Sequence, residues 1–181
     1  MQRHAIFVAA LVGLFAAPLL AQAPAPAGGS APSTADAIRA YYNGAKNNIL
    51  KAADKMPDDA YDFKPTPEQR SFGGWVQHVA DAQSNGCARV LGQQPAAPGA
   101  APSGKAALVA YLKQSFDTCD AAYSSLTDAN AGDPVQSFRG PTTRLGSLAG
   151  NVAHDNECYG SMAVYMRLKG VVPPSSEPRT R

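Results

Sequence analysis

Charge is sparse in this chain and leans to neither sign. Sixteen Lys and Arg stand against 14 Asp and Glu, a formal net charge of +2 over 181 residues. The basic residues are scattered rather than clustered, which leaves no electrostatic footprint for nucleic acid. Trp occurs once, and Cys and His three times each. Past the N-terminal segment no apolar run reaches the ~20 residues that a membrane-spanning helix needs. No Gly-rich phosphate loop, Ser–His–Asp arrangement or EF-hand loop can be read, which removes the common phosphoryl-transfer, serine-hydrolase and calcium-loop classes. There is no internal repeat and no strand of convincing alternation. The length suits one domain and is short for two.

What is present begins with a leader. Arg3 and His4 form a short basic region, Ala5 to Ala17 is an unbroken apolar and small-residue run, and Pro18-Leu19-Leu20-Ala21 offers a cleavage site. That order is the pattern of a secretory signal peptide, and the apolar run is too short to span a bilayer. Residues 1–21 are therefore read as a signal peptide removed after Ala21, with a retained N-terminal anchor as the alternative. No Cys lies near the cleavage region to carry a lipid. Residues 22–32 form a Pro/Ala/Gly spacer with nothing to bury, a disordered linker. A folded domain is expected over 33–176 and a short tail over 177–181. The expected location is periplasmic or extracellular, with no membrane contact once the leader is gone.

Four segments carry helical periodicity, separated by Gly/Pro-rich connections. The first, Thr34 to Lys55, has Ser33 as N-cap with Asp36 three residues on. It places Ile38, Tyr41, Tyr42, Ala45, Ile49, Ala52 and Met56 on one face. The second, Phe72 to Leu91, follows Ser71 and carries Val76, Val79, Gly86 and Val90 along a stripe. The third runs from Gly104 to Leu126 behind Ser103. The fourth runs from Arg144 to Lys169 with Thr143 as cap, and Gly170 stops it before Pro173-Pro174. Residues 58–70 and 128–142 read as turn-rich connections. The fold class that follows is all-α, an antiparallel four-helix bundle, a design that builds metal and cofactor sites from side chains on facing helices.

Two histidines remain after leader removal, His78 and His154, each in the middle of a helix. His154 and Cys158 are four apart on the fourth helix and stack on one face, with Asn151 and Tyr165 on the same side. Imidazole and thiolate both suit zinc and other late first-row metals. At ~100° per residue His78 points away from Cys87, so those two cannot share an ion. His78 lies instead at the edge of its stripe, beside Trp75 and Ala82, where it could face a neighbouring helix. His78, His154 and Cys158 would then supply three ligands and leave a fourth position open, as catalytic zinc sites do. The plainer alternatives are hydrogen-bonded structural histidines and a Cys158 that is merely a small buried hydrophobe. Asp155 and Glu157 flank the fourth-helix pair and could be supporting partners, with Glu157 as a candidate catalytic general base.

The odd cysteine count leaves one thiol over. In an exported protein a disulfide between Cys87 and Cys119 is the simplest assignment. Pairing of Cys158 with either of them is the competing one and would remove the metal site.

Three segments carry a resemblance to a known family: Tyr61 to Gln83 (YDFKPTPEQRSFGGWVQHVADAQ), Asn151 to Gly160 (NVAHDNECYG), and Tyr165 to Ser176 (YMRLKGVVPPSS). Together they resemble exported bacterial members of the DinB-like (DinB/YfiT-like) superfamily, over most of residues 34–176. The resemblance implies a four-helix bundle and a divalent metal, zinc or nickel, held by three histidines: one from the second helix and two from an H-x3-H on the last. Carried over, those positions are His78, His154 and Cys158, with Cys standing where the family usually has His. A thiolate ligand would lower the Lewis acidity of the ion, and a free exported thiol is open to oxidation. Relatives include thiol-dependent transferases, isomerases and proposed hydrolases, and export argues against reliance on a cytosolic thiol. The functional expectation is a metal-binding protein acting as a metal-dependent hydrolase on an unidentified small molecule, with a metal-bound water as nucleophile. The alternatives are a non-catalytic bundle that binds a ligand or partner through a degenerate site, and a redox protein in which Cys158 reacts. A homodimer through a helix face is a further expectation.

Overall fold

The computed structural model describes residues 31–95 and 102–178. The expected leader, 1–21, and nearly all of the expected linker, 22–32, lie outside the described residues. From Pro32 onward the chain forms one compact unit. Its helices are α1 (Thr34–Lys55), α2 (Phe72–Val90), α3 (Lys105–Ser124) and α4 (Arg144–Leu168). Single 3₁₀ turns occur at Asp58–Ala60 and Pro174–Ser176.

Three of the four helices start at a side-chain cap that satisfies an otherwise unpaired backbone donor. Ser33 Oγ accepts the Asp36 N–H at 3.1 Å, the cap that the spacing predicts, and donates to the Asp36 carboxylate at 3.0 Å. Ser71 and Thr143 hydroxyls accept from Gly74 and Gly146, both at 3.0 Å. Helix α3 differs, starting after Gly104 at φ +78° with no side-chain cap, one residue later than a Ser103 cap implies.

The helices pack in the ring order α1, α3, α2, α4. Residue pairs give their directions. Arg39 donates to the carbonyls of Tyr123 and Leu126, so the start of α1 meets the end of α3. Tyr165 donates to the Arg70 carbonyl while Gln83 meets Asp155, so α2 and α4 also run oppositely. A Cβ on Gly73 would lie 3.1 Å from Leu108, and Cys87 meets Cys119, so α2 and α3 run in the same sense. Helices α1 and α4 are likewise aligned, since Lys55 binds the Val172 carbonyl and Glu177 beyond the end of α4. Long connections between consecutive helices make this arrangement possible.

The core contains Tyr42, Ile49, Phe72, Phe116, Met162 and Met166, all at or below 1% exposure. Burying a side chain of this size stabilises the fold by roughly 1.5–3 kcal/mol. Tyr42 and Tyr123 stack at 3.8 Å between ring centroids. Tyr41, placed on the apolar face by periodicity, is 69% exposed. Adjacent residues on a helix point ~100° apart, and the packed stripe is too narrow to hold both tyrosines.

The connection before α4 holds a hairpin that alternation did not reveal. Strands β1 (Pro134–Ser137) and β2 (Gly140–Thr143) pair antiparallel, turning through Phe138 and Arg139. Four residues per strand are too few to display a period of two, and Gly140 at φ +110° permits the turn. The hairpin leads straight into the Thr143 cap and so sets where α4 begins. A Cβ on Gly146 would meet Thr142 Oγ1 at 2.7 Å, which explains a glycine in the first turn. Among the described residues no helix is long and apolar enough to cross a membrane.

Candidate metal centre

Helices α2 and α4 face each other through His78 and His154. Their Nε2 atoms are 3.1 Å apart and their rings 5.0 Å between centroids. One turn further along α4, Cys158 Sγ lies 3.5 Å from His154 Nε2. The donor atoms of His78, His154 and Cys158 all lie within 4.8 Å of one another. Both histidines are half-buried and Cys158 is buried.

These separations can be tested against a metal. With Zn–N of ~2.05 Å and Zn–S of ~2.3 Å, tetrahedral angles separate two nitrogens by ~3.3 Å and nitrogen from sulfur by ~3.6 Å. The observed 3.1 and 3.5 Å are within a few tenths of an ångström of both values. The His78–His154 and His154–Cys158 separations therefore fit zinc, the third pair lies within 4.8 Å, and all three donors suit zinc in chemical type.

The electrostatics also favour neutral imidazoles. Burial lowers the pKa of both histidines, and the nearby Arg70 charge adds to this; Glu157 opposes it at both, and Asp81 also at His78. Two neutral rings in Nε2···Nε2 contact share a single proton, one donating and the other accepting. Cys158 is pushed up to about 12 by burial, with the Asp155 and Glu157 charges adding. Without an ion it is a neutral thiol at ordinary pH, and an ion would have to displace its proton.

Glu157 is exposed, and its carboxylate is not part of the donor group. Asp155 is fully buried, and burial raises its pKa to about 7 against the opposing hydrogen bond from Gln83. Asn151 and Tyr165 serve two different structures. Asn151 enters a buried network, while Tyr165 ties α4 to the Arg70 carbonyl. Cys87 and Cys119 form a disulfide with a Cα separation of 5.0 Å, leaving Cys158 as the free thiol.

Gln83 is the residue that periodicity passed over. It is fully buried and donates through Nε2 to Asp155 Oδ2 at 2.7 Å. The signal was its position, since Val76, Val79, Gln83 and Cys87 follow helical steps and put an amide in an apolar stripe. Arg70 and Trp75 form one wall of the site. The guanidinium lies 5.1 Å from the Trp75 ring, which meets the His78 ring edge-on at 5.8 Å.

Residues 41–161, two thirds of the chain, match the DinB superfamily. The chain belongs to that superfamily. Solved structures with the same fold include a DinB-like protein from Bacillus cereus ATCC 10987, with a TM-score of 0.64 and 18% identity over 77% of this chain and 95% of that one. The DinB-like protein YjoA from Bacillus subtilis has a TM-score of 0.64 and 19% identity over 80% of this chain and 99% of its own. A conserved protein from Enterococcus faecalis has a TM-score of 0.63 and 13% identity, covering 76% and 98% respectively. Likeness at this level of identity establishes a shared DinB fold. No curated protein matches the chain significantly.

Proposed function

We propose that this DinB protein is exported and holds a divalent ion, zinc in preference to nickel, between His78, His154 and Cys158, and that it is a metal-dependent hydrolase. The observation that carries the reading is the 3.1 Å and 3.5 Å spacing of three donors from facing helices. Two imidazoles and a thiolate favour zinc over the harder cations. An ion there would supply a Lewis acid that polarises a carbonyl or phosphoryl oxygen and acidifies water. The chain's own contribution is to hold two neutral imidazoles at ligand distance and to leave them partly open to solvent beside the Arg70–Trp75 wall. Glu157, exposed on the same helix, is the candidate proton acceptor. The Cys87–Cys119 disulfide supports export, because such bonds persist in oxidising compartments.

Elemental analysis of the purified protein after zinc or nickel supplementation tests the reading. One ion per chain is expected in wild type, and none in His154→Ala or Cys158→Ala. Wild-type affinity is expected to rise about tenfold per pH unit between roughly pH 7 and 9, because binding displaces one thiol proton. A wild-type protein that takes up neither metal overturns the proposal and favours a bundle whose metal site has been lost.

A further inference from the structure

The imidazole of His154 has an unfilled requirement on the side away from His78. If its Nε2 faces an ion, its Nδ1 must carry the proton, and an N–H in a half-buried position needs an acceptor. Cys158 Sγ, at 3.9 Å from Nδ1, is committed to the ion in that arrangement. Asp155 Oδ1 lies 4.0 Å from the same nitrogen. It is one of three buried side-chain polar atoms without a hydrogen-bond partner among the described residues, with Trp75 Nε1 and Arg144 Nε, and the only carboxylate oxygen of the three.

The remainder of Asp155 is held by a chain of donors that runs one way. Tyr123 Oη lies 2.8 Å from both the Leu148 carbonyl and Asn151 Oδ1, two acceptors for its one proton, and Asn151 Nδ2 donates to Gln83 Oε1. Gln83 Nε2 then donates to Asp155 Oδ2 at 2.7 Å. Each amide has its oxygen toward the previous member and its nitrogen toward the next, so the chain fixes which carboxylate oxygen is used. Oδ2 ends the network and Oδ1 is left facing His154. A fully buried carboxylate oxygen without a partner is costly and rare, and a donor at His154 Nδ1 would satisfy it.

We infer that Asp155 is a positioning residue for the metal site, its Oδ1 accepting the Nδ1–H of His154 and so presenting Nε2 to the ion. This rests on the metal-binding reading above. The present 4.0 Å is too long for a hydrogen bond, and about 1 Å of closure is needed. A turn of the imidazole about its side-chain bonds is the motion required. Asp155→Asn discriminates well, because an amide has one oxygen to serve two donors. Gln83 and His154 approach different oxygens, so the amide turns its oxygen to one of them and meets the other with its NH2.

The test is ¹⁵N-histidine NMR and chelator competition on zinc-loaded protein. In wild type, Nδ1 of His154 is expected to carry the proton and Nε2 the metal. In Asp155→Asn the Nδ1–H resonance of His154 is expected to shift or exchange away while that of His78 stays. Zinc affinity is expected to fall about 10- to 100-fold, as for other lost partners of metal-bound histidines. Metal on Nδ1 of His154 in wild type overturns the inference with no variant needed, as does an Asp155→Asn affinity within twofold of wild type. A wild-type protein that binds no zinc overturns the metal reading and this inference together. Zinc bound through His78, His154 and Cys158 with no effect of Asp155→Asn overturns the inference alone.

Discussion

Helix α2 is joined to its two principal neighbours by seams of opposite character. Toward α3 the seam is covalent and largely apolar: the Cys87–Cys119 disulfide and Gly73 packed tightly against Leu108, with one half-buried hydrogen bond from the Tyr111 hydroxyl to Asp81. Toward α4 it is polar: the His78–His154 pair, and Gln83 bonded to both Asp155 and Asn151. In the first seam the disulfide and the Gly73–Leu108 contact bring no polar side chain to satisfy, and the Tyr111 hydroxyl is paired with Asp81 at 2.7 Å. The second contains a carboxylate oxygen with no partner and two imidazoles that share one proton. A seam built only for stability would not bury a carboxylate there, since an unsatisfied buried polar group costs free energy that an apolar side chain would not. The comparison indicates that the α2–α3 seam carries stability, and that the α2–α4 seam gives some up for a site.

Breaking the covalent seam is expected to have the largest effect. The bridged cysteines are 32 residues apart in sequence, and closing a loop of that length stabilises by roughly 4 kcal/mol through the unfolded chain. A Cys87→Ala/Cys119→Ala variant is expected to lose about that much in urea unfolding, while its zinc-to-protein ratio stays at wild type. A loss below about 1 kcal/mol, or a lost ion, would show that the two seams do not divide the labour in this way.

The polar seam makes the opposite prediction for stability. Asp155 has its pKa raised to about 7 in the folded protein, against 3.8 for an ordinary aspartate. A group whose folded value is raised binds its proton more tightly when folded, so stability is lost as pH climbs between those two values. For metal-free protein, Asp155→Asn removes this loss. Its stability relative to wild type is expected to improve by on the order of 3 kcal/mol between about pH 4 and pH 7. Taking the difference at each pH cancels the other carboxylates. A flat difference would mean that the buried carboxylate does not strain the seam. The same substitution is expected to weaken zinc binding, so one residue would trade stability against the site.

Much of this division was legible in the sequence, and the limits have physical causes. Four helices follow from apolar residues at steps of three and four with Ser33, Ser71 and Thr143 as caps, because capping and burial are local requirements. His154 and Cys158 were readable as one face because four residues make about one turn. Pairing them with His78 depended on which helices adjoin, and periodicity does not encode neighbours. The resemblance to the DinB superfamily supplied that link. The network beneath the site was harder to see. Gln83 was visible only as a polar interruption of a stripe, and Asp155 read as a flanking residue because burial of a carboxylate depends on what packs over it. The hairpin was missed because its strands are shorter than the pattern that reveals strands.

The smallest effect is expected at the far end of the donor chain. Tyr123 reaches from α3 to α4, where its hydroxyl lies 2.8 Å from both Asn151 Oδ1 and the Leu148 carbonyl. Tyr123→Phe keeps the ring stacked on Tyr42 and removes one donor. The Leu148 carbonyl belongs to α4 and keeps its helical partner, so the loss falls chiefly on Asn151. A net cost of about 1 kcal/mol is expected in urea unfolding. The consequence for the site is more informative than the stability change. With no donor at its oxygen, the Asn151 amide is free to turn over, and the direction of the chain through Gln83 is then less strictly set. Zinc affinity is expected to fall by less than tenfold, a smaller drop than in Asp155→Asn, because Asp155 itself is still present. An effect as large as that of Asp155→Asn would place the control of His154 in the network as a whole. No change in either quantity would confine it to the single contact between Asp155 and His154.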